Sequence, residues 1–245
     1  MKRRLVCLVL FVFFVFLGCG TKVEKRQEVN SELIKQQMIH SWQGYMKYAK
    51  GHDALKPLSG TSRDWYDNSL VMTPIDGFDT MVLMGLKKEA EEAKAIIFEN
   101  LRFDHDMYVQ NFEITIRILG GLISAYQMDG DQRFLDLAVD LADRLLPVFD
   151  SPTGMPYCYV NLKTGETKGE ISNPAEIGTL LIEFGSLSKI TGNDIYYEKA
   201  KNALTVLFNR RSEIGLVGTT INVETGEWIN KESHISGMID SYYEY

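Results

Sequence analysis

The sequence has few cysteines, no surplus of positive charge and no apolar run long enough to cross a membrane. Its three cysteines, of which only Cys158 lies far from the N-terminus, exclude a disulfide scaffold. With 26 Lys and Arg against 33 Asp and Glu, the net charge is −7, so the chain lacks the basic surface that neutralises nucleic-acid phosphates. Hydrophobic residues make up 45% of the 245 residues, which is enough for a core and argues against a disordered chain.

The N-terminus has the pattern of an export signal. Residues 2–4 are basic, and residues 5–17 are all apolar. Thirteen residues are too few to span a bilayer, which needs about 20, but they fit the apolar region of a secretory signal. We therefore predict that residues 1–18 form a signal peptide.

The junction that follows resembles the lipobox of bacterial lipoproteins, in which a small residue precedes the cysteine that becomes lipidated. Gly18 and Cys19 stand in these places, so we predict that Cys19 is the lipidation site and that residues 19–30 form a polar tether. The protein would then be exported and anchored by lipid to the membrane of the bacterial cell envelope, facing the periplasm or the surface. One alternative is plain signal-peptide cleavage near Gly18 or Gly20, without lipidation. A weaker alternative is that the segment is not cleaved and serves as a membrane anchor.

From residue 31 to residue 245 the apolar spacing is helical, and we predict one domain. Helices that are apolar on most sides alternate with amphipathic ones, whose polar face is typical of contact with water. The predicted helices cover residues 32–48, 69–85, 87–101, 111–128, 132–149, 173–191 and 194–211.

A repeat of 61–62 residues runs through this domain. The turn glycine Gly130 corresponds to Gly192, and the segment 161–166 corresponds to 222–227. Each segment has a Thr-Gly turn between alternating residues, which predicts small β-hairpins in the loops. One buried and one amphipathic helix per repeat predicts an all-α fold in which two concentric rings form an α/α barrel. A linear superhelix is the main alternative.

Carboxylates occur where each buried helix begins. They are Asp76, Asp79, Glu113, Glu176 and Asp240. In a barrel these helix ends converge on one cavity. Glycoside hydrolysis uses two such groups, one as an acid for the leaving oxygen and one to activate water.

Ordinary structural roles compete with this interpretation. Glu176 stands three residues after Asn173, as in a helix-capping box. Glu113 precedes Arg117 by four residues, the spacing of a helical ion pair. Asp240 precedes Tyr residues that suit either sugar binding or core packing, and its spacing favours neither.

Other chemistries lack support. The four histidines have no metal-ligand spacing, and no G-x-S-x-G, P-loop or dinucleotide motif occurs. Cys158 is interpreted as an inert small hydrophobe. Trp42, Trp65 and Trp228 could stack on sugars, although Trp42 lies in an apolar helical stripe that predicts core packing.

A series of segments resembles glycoside hydrolase family 47, the class I α-1,2-mannosidases. The similar segments follow the order of that family and cover residues 41–60, 84–86, 112–127, 144–158, 160–166, 175–185 and 240–245. The resemblance implies an (α/α)7 toroid that removes terminal α-1,2-linked mannose from mannose-containing oligosaccharides with inversion. It also implies a requirement for Ca²⁺.

Residue by residue, the resemblance implies four roles. Glu113 matches the general acid and Arg117 a substrate-contacting arginine. Glu176 matches a sugar-contacting glutamate, and Asp240 matches a second catalytic carboxylate.

This sequence departs from the family pattern in two respects. Many relatives carry a basic residue at the place of Met238, which bears on branch specificity. The family domain is also close to twice as long, and its calcium-binding threonine and usual general-base glutamate follow the 240–245 segment. We therefore expect this sequence to hold the N-terminal half of the domain and to contain no metal ligand. We also expect the isolated chain to be inactive and poorly soluble.

Two further functions compete with the α-1,2-mannosidase. The first is a non-catalytic mannose-glycan binding protein derived from the enzyme. The second is a different α/α toroid, such as a polysaccharide lyase or a six-hairpin glycosidase.

Overall fold

The structure is a computed structural model that describes residues 30–245. The predicted signal peptide, Cys19 and the tether up to residue 29 lie outside the described residues. The chain divides after Gln36, and the packing described below is that of residues 37–245 alone. Within the described part, no helix combines the length and apolar character needed to cross a membrane.

Helices form most of the described chain. The α-helices are α1 (Ser31–Tyr48), α2 (Met72–Leu83), α3 (Lys87–Asn100), α4 (Asn111–Ile114), α5 (Gly120–Asp129), α6 (Gln132–Leu145), α7 (Pro174–Gly178), α8 (Leu181–Thr191) and α9 (Asp194–Phe208). A π-helical turn, Thr115–Leu119, joins α4 to α5, and 3₁₀ turns cover Leu146–Phe149 and Asp240–Tyr243.

Short strands lie in the connections. They are β1 (Ala54–Lys56), β2 (Thr61–Arg63), β3 (Tyr108–Gln110), β4 (Tyr159–Asn161), β5 (Thr167–Lys168), β6 (Ile171–Ser172), β7 (Thr220–Asn222) and β8 (Trp228–Asn230). All of their pairings are antiparallel, in sheets of order β1-β2, β3-β4-β5 and β6-β7-β8. The hairpins predicted around the Thr-Gly turns of 161–166 and 222–227 are therefore confirmed as β4-β5 and β7-β8.

The helices form two layers. α2, α4–α5 and α7–α8 pack against one another as an inner layer, and α3, α6 and α9 each return along the outside of the preceding inner helix. The outer helices put alanine and aliphatic side chains inward, as Ala138 and Leu141 of α6 illustrate with no measurable exposure. The α/α arrangement is thus confirmed, although the described residues do not close a ring.

Inner helices approach closely where glycine replaces a side chain. A Cβ atom added to Gly121 of α5 would lie 2.5 Å from the Cγ2 atom of Ile75 on α2. This distance is below normal van der Waals contact, so only glycine allows the two inner helices to pack at this separation.

The repeat has a structural counterpart at the helix ends. Gly130 and Gly192 end α5 and α8 in the left-handed conformation, with φ of 80° and 74°. The side chains of Asp131 and Asn193 then cap α6 and α9 by accepting a hydrogen bond from the backbone two residues later. In both repeats a glycine ends the inner helix and a polar N-cap residue begins the outer helix, and this is the physical basis of the 62-residue periodicity.

The hairpin turns repeat in the same way. The Oδ1 atom of Asn161 accepts hydrogen bonds from the amides of Lys163 and Thr164. Asn222 does the same for Glu224 and Thr225. An Asx turn followed by a left-handed glycine therefore explains both Thr-Gly segments.

Two long inner helices differ from the prediction. The helix predicted over 111–128 contains the π-helical turn, which widens the backbone around Arg117. The helix predicted over 173–191 breaks at Thr179 and Leu180, whose backbone angles are not helical. Gly178 and Thr179 are weak helix formers, and the Thr179 hydroxyl donates to Ser241 Oγ at 2.7 Å instead of supporting the helix.

The segment around Asp240, which we predicted to begin a buried helix, is also not an α-helix. Met238 has φ +77°, which is incompatible with a right-handed helix, so only the 3₁₀ turn Asp240–Tyr243 forms.

One buried carboxylate organises the loop between β2 and α2. Asp53, only 1% exposed, accepts hydrogen bonds from the amides of Trp65 (2.9 Å), Leu70 (2.7 Å) and Met72 (3.2 Å). These bonds bracket Val71, which has φ +47° and ψ +46°, a costly conformation for a β-branched residue. The carboxylate therefore determines both the path of the loop and the residue at which α2 begins.

Replacing Asp53 should consequently destabilise the protein. Asp53→Asn places an amide NH₂ against backbone donors, and the loss of hydrogen bonds to a charged acceptor should lower the free energy of unfolding by about 3 kcal/mol. Urea unfolding of the intact protein measures this loss. Asp67→Asn is the matched control, since Asp67 is an exposed aspartate of the same loop. Equal stability of the two variants would contradict this role for Asp53.

Candidate active site

The N-terminal ends of successive inner helices lie side by side. The Arg117 Nη1 atom, just after α4, is 3.9 Å from the Asp76 Oδ2 atom on α2. Gln110, at the end of β3, donates through Nε2 to the Glu176 Oε1 atom on α7 at 2.9 Å. The structure thus places three of the predicted carboxylates along one edge of the inner layer.

Glu113 and Arg117 form the ion pair that their spacing predicts. The Arg117 Nε atom donates to the Glu113 Oε2 atom at 2.7 Å. The side chains keep 24% and 36% of their exposure, so both can reach a ligand. The two side chains therefore form a helical ion pair and are still accessible to a ligand. The ion-pair interpretation of Glu113 and its interpretation as a site residue are thus compatible.

Asp76 makes this cluster rich in negative charge. Desolvation raises the pKa of the Asp76 carboxyl, and the Asp79 and Glu113 carboxylates add to the effect against the opposing Arg117 guanidinium. Two carboxylates share one guanidinium here, an arrangement that favours retention of a proton.

Glu176 combines a capping position with an unsatisfied atom. Its backbone amide donates to the Oδ1 atom of Asn173 at 3.0 Å, which confirms the predicted cap. Its side chain turns to Gln110 instead of back to Asn173, and the buried Glu176 Oε2 atom has no partner among residues 30–245. A buried polar atom of this kind costs free energy unless a ligand or water satisfies it.

Cys158 lies beside Glu176, and its thiol has low reactivity. Burial, followed by the nearby Glu176 carboxylate, raises the pKa of the Cys158 thiol to about 12. The Sγ–H group donates to the Ile171 carbonyl at 3.2 Å. The thiolate is the reactive form, so this cysteine is suited to packing and not to nucleophilic catalysis.

Two aromatic residues flank the Glu113–Arg117 pair. The Arg117 guanidinium carbon is 5.3 Å from the centroid of the Trp65 ring. The Tyr66 hydroxyl accepts a hydrogen bond from the Gln110 amide at 3.2 Å. Burial and the Glu113 carboxylate raise the pKa of Tyr66, so its hydroxyl stays protonated at neutral pH.

The other tryptophans have different environments. Trp42 is 3% exposed and donates to Glu92 at 2.8 Å, in agreement with its predicted core position. Trp228 is partly buried and donates to the carbonyl of Arg210.

Asp240 is not joined to the other carboxylates by direct contact. It is exposed, and its side chain makes no hydrogen bond or ion pair to residues 30–245. Its neighbour Ser241 accepts the hydrogen bond from Thr179, which holds the 3₁₀ turn against α7. The catalytic role of Asp240 stays a prediction.

Glu183 on α8 is an acidic residue that sequence reasoning missed. It is 8% exposed, accepts a hydrogen bond from the Tyr245 hydroxyl at 2.7 Å, and has a buried Oε2 atom without a partner among the described residues. Its position in an apolar run gave no signal, because its hydrogen-bond partner lies 62 residues away. Gln110 and Tyr66 were missed for the same reason.

The donor groups of residues 30–245 do not fit a calcium site. No group of three or more His, Cys, Asp or Glu side chains within this part of the chain could hold a metal ion. The expectation that the calcium-binding threonine lies outside this sequence stays a prediction.

A further cavity lies apart from these carboxylates. It has a volume of about 680 Å³ between α9 and the segment from Tyr242 to Tyr245, with a mainly apolar lining. It contains none of the clustered carboxylates, so the chemistry assigns the candidate site to the helix ends instead.

Inner helices backed by outer ones, with carboxylates gathered along one edge of the inner layer, form part of an α/α arrangement. The model of the family described as Glycosyl hydrolase family 47 matches residues 37–245. The chain belongs to this family.

Curated relatives agree in family and differ in length. The chain is 35% identical to alpha-mannosidase I MNS5 of Arabidopsis thaliana, and the match covers all of this chain and 47% of that protein. It is 40% identical to mannosyl-oligosaccharide 1,2-alpha-mannosidase IA of Sus scrofa, over 86% of this chain and 33% of that protein. The chain thus spans between a third and half of the length of these relatives.

Solved structures support the same fold. The α-1,2-mannosidase from Trichoderma reesei matches with a TM-score of 0.81 and 30% identity, over 88% of this chain and 48% of that one. An α-1,6-mannanase variant of Salegentibacter matches with a TM-score of 0.58 and 15% identity, over 83% of this chain and 59% of that one. The second likeness concerns the fold alone.

Glu183 should make stability depend on pH. Burial raises the pKa of its carboxyl above the unfolded value, so folding favours the neutral form. The stabilisation is complete below the unfolded pKa of about 4.3 and is lost as the pH rises through the folded pKa. The free energy of unfolding should therefore fall over this window in the parent protein and change less in Glu183→Gln.

Urea unfolding of the intact protein at pH 4, 6 and 8 measures the effect. Glu198→Gln is the control, since Glu198 is exposed on the neighbouring α9. Parallel pH profiles for the parent and Glu183→Gln would contradict the expectation.

Proposed function

We propose that the protein containing this chain is an α-1,2-mannosidase that removes terminal α-1,2-linked mannose from mannose-rich oligosaccharides with inversion. The observation that carries the proposal is the accessible Glu113–Arg117 pair at the inner-helix end of a family 47 domain. The curated relatives from Arabidopsis and pig, named as mannosidases, support the substrate class.

Glu113 is proposed as the general acid. It would donate a proton to the glycosidic oxygen as the bond to the anomeric carbon breaks. The Arg117 guanidinium also lies 3.9 Å from the Asp76 carboxylate, whose pKa is raised by burial, so a second acidic group stands beside the proposed acid.

Arg117 and Glu176 are proposed to orient the sugar. Arg117 presents several donors to ring hydroxyls, and the unpartnered Glu176 Oε2 atom can accept a hydrogen bond from one. Asp240 is proposed as the second catalytic carboxylate. In an inverting site it would lie roughly 6.5–9.5 Å from the acid, which leaves room for the attacking water.

Hydrolysis of α-1,2-mannobiose by the intact gene product, followed by mannose release, tests the proposal. Glu113→Gln should lower kcat by about 10²- to 10⁴-fold, the usual contribution of a general acid. The loss should be much smaller for α-mannosyl fluoride, because fluoride leaves with little need for protonation. Glu99→Gln, on the exposed side of α3, is the matched control.

Two results would contradict this assignment. An equal loss on both substrates would show that Glu113 is not an acid for the leaving group. A parent protein that binds mannobiose but releases no mannose, with calcium supplied, would favour the non-catalytic mannose-binding alternative.

We also propose that the protein is exported and held at the bacterial cell envelope by a lipid on Cys19. The basic residues, the apolar run and Gly18–Cys19 support this proposal. Metabolic labelling with a radioactive fatty acid should mark the parent protein and not Cys19→Ser, whereas Cys158→Ser should still be labelled. Labelling that survives in Cys19→Ser would overturn it.

A further inference from the structure

Equivalent positions of three successive repeats meet at Glu183. Gly120 on α5, Glu183 on α8 and Tyr245 follow one another at intervals close to the repeat length. A Cβ atom added to Gly120 would lie 3.4 Å from the Cγ atom of Glu183, and the Tyr245 hydroxyl donates to the Glu183 Oε1 atom at 2.7 Å. The Glu183 side chain thus contacts the inner helix that precedes it in the chain and the inner segment that follows it.

We propose that Glu183 is a positioning residue, which holds Asp240 in place relative to Glu113 through its hydrogen bond to Tyr245. This inference rests on the proposed function, in which Glu113 and Asp240 are the two catalytic carboxylates. It adds to that function the group that sets their separation.

Asp240 depends on its neighbours for its position. It is exposed, and its side chain makes no hydrogen bond or ion pair to residues 30–245. It lies in a 3₁₀ turn of only four residues, which follows Met238 with its unfavourable φ of +77°. A single helical turn is not stable by itself, so contacts from other elements must hold it.

The inner helix α7 holds the turn on both sides of Asp240. Before Asp240, the Met238 carbonyl accepts a hydrogen bond from the Ala175 amide at 2.9 Å. After Asp240, the ring of Tyr242 packs on Gly178, where an added Cβ atom would lie 2.9 Å from the Tyr242 Cδ2 atom. These contacts place the turn against α7.

The Glu183–Tyr245 hydrogen bond is the contact that connects the turn to the helix of the proposed acid. Glu183 also packs against Gly120, which directly follows the π-helical turn after Glu113. One side chain therefore contacts both the backbone that continues from Glu113 and the segment that contains Asp240. Loss of the bond would let Asp240 shift while Glu113 stays in place.

The chemistry of Glu183 suits such a role better than a packing role. The side chain is 8% exposed, and its buried Oε2 atom has no partner among residues 30–245. An apolar side chain would fill this place without that desolvation cost. Burial, followed by the Glu183 carboxylate, raises the pKa of Tyr245, so its hydroxyl remains a donor at neutral pH.

Kinetics of the intact gene product on α-1,2-mannobiose test the role. Tyr245→Phe removes only the hydroxyl and should lower kcat by about 10- to 100-fold, because misplacing a reacting group by about 1 Å can cost about 10²-fold. KM should change little, since Arg117 and Glu176 are the proposed sugar contacts. Tyr243→Phe is the matched control, because Tyr243 is an exposed residue of the same turn and its hydroxyl makes no hydrogen bond to residues 30–245.

Substitutions of Glu183 test the other end of the bond. Glu183→Met removes the acceptor and should lower kcat as much as Tyr245→Phe does. The double variant should lose no more, because both changes break the same bond. Glu183→Gln keeps an oxygen acceptor and should retain most of kcat.

Three kinetic results would overturn the proposal. Unchanged kcat in Tyr245→Phe with a lower unfolding temperature would leave the bond a structural role only. Unchanged kcat and unchanged stability would leave it no role. A loss of kcat confined to Glu183→Met would assign the effect to Gly120 instead of Asp240.

Amide hydrogen exchange separates this inference from the proposed function. In Tyr245→Phe the amides of residues 239–245 should exchange about tenfold faster than in the parent, the loss of one hydrogen bond, while those of β7 and β8 stay unchanged. If the parent releases no mannose, the proposed function fails, and the exchange rates still decide whether Glu183 holds the turn. Equal exchange in parent and variant, or a rise shared by β7 and β8, contradicts the inference.

Discussion

The buried carboxylate of Asp53 is the constraint on which this site depends. Its oxygens satisfy backbone amides on both sides of Val71 and so hold a β-branched residue in the left-handed conformation. That conformation costs about 1–3 kcal/mol and persists only where surrounding bonds determine it. The same carboxylate fixes the amide of Trp65. One side chain thereby positions two parts of the site. They are the inner helix α2, which carries Asp76, and the loop before it, which carries Trp65 and Tyr66.

The chemistry of the site follows from an imbalance of charge and of hydrogen bonding. Asp76 and Glu113 share the Arg117 guanidinium, while Glu176 keeps a buried oxygen without a partner in the described chain. A fold selected only for stability would remove such a group, because its desolvation is not compensated. Unsatisfied acceptors and clustered acidic groups are instead typical of functional sites.

Small sheets connect the helical repeats and give the helix ends a common direction. In the two three-stranded sheets, the strand that leads into an inner helix pairs with the hairpin that follows the next outer helix, as Gln110 pairs with Tyr159 and Ile171 with Asn222. The turns that make this possible depend on local side chains, such as Asn161 and Gly165, so their positions were predictable from sequence. The widened turn at Arg117 was not, because the helical spacing of its residues is unbroken, and neither was the break at Thr179, which involves a contact with Ser241, 62 residues away.

The sequence by itself determined the elements whose causes are local. Helical spacing, glycine stops and polar caps located the hairpins of helices, and the i,i+4 spacing located the Glu113–Arg117 pair. Only the tertiary structure decided which polar groups meet. Gln110 reaches Glu176 across 66 residues and Tyr66 reaches Gln110 across 44, and such contacts leave no periodic trace in a single sequence. The reason is physical: a hydrogen bond between distant residues depends on where the backbone brings them, and not on any preference of the residues between.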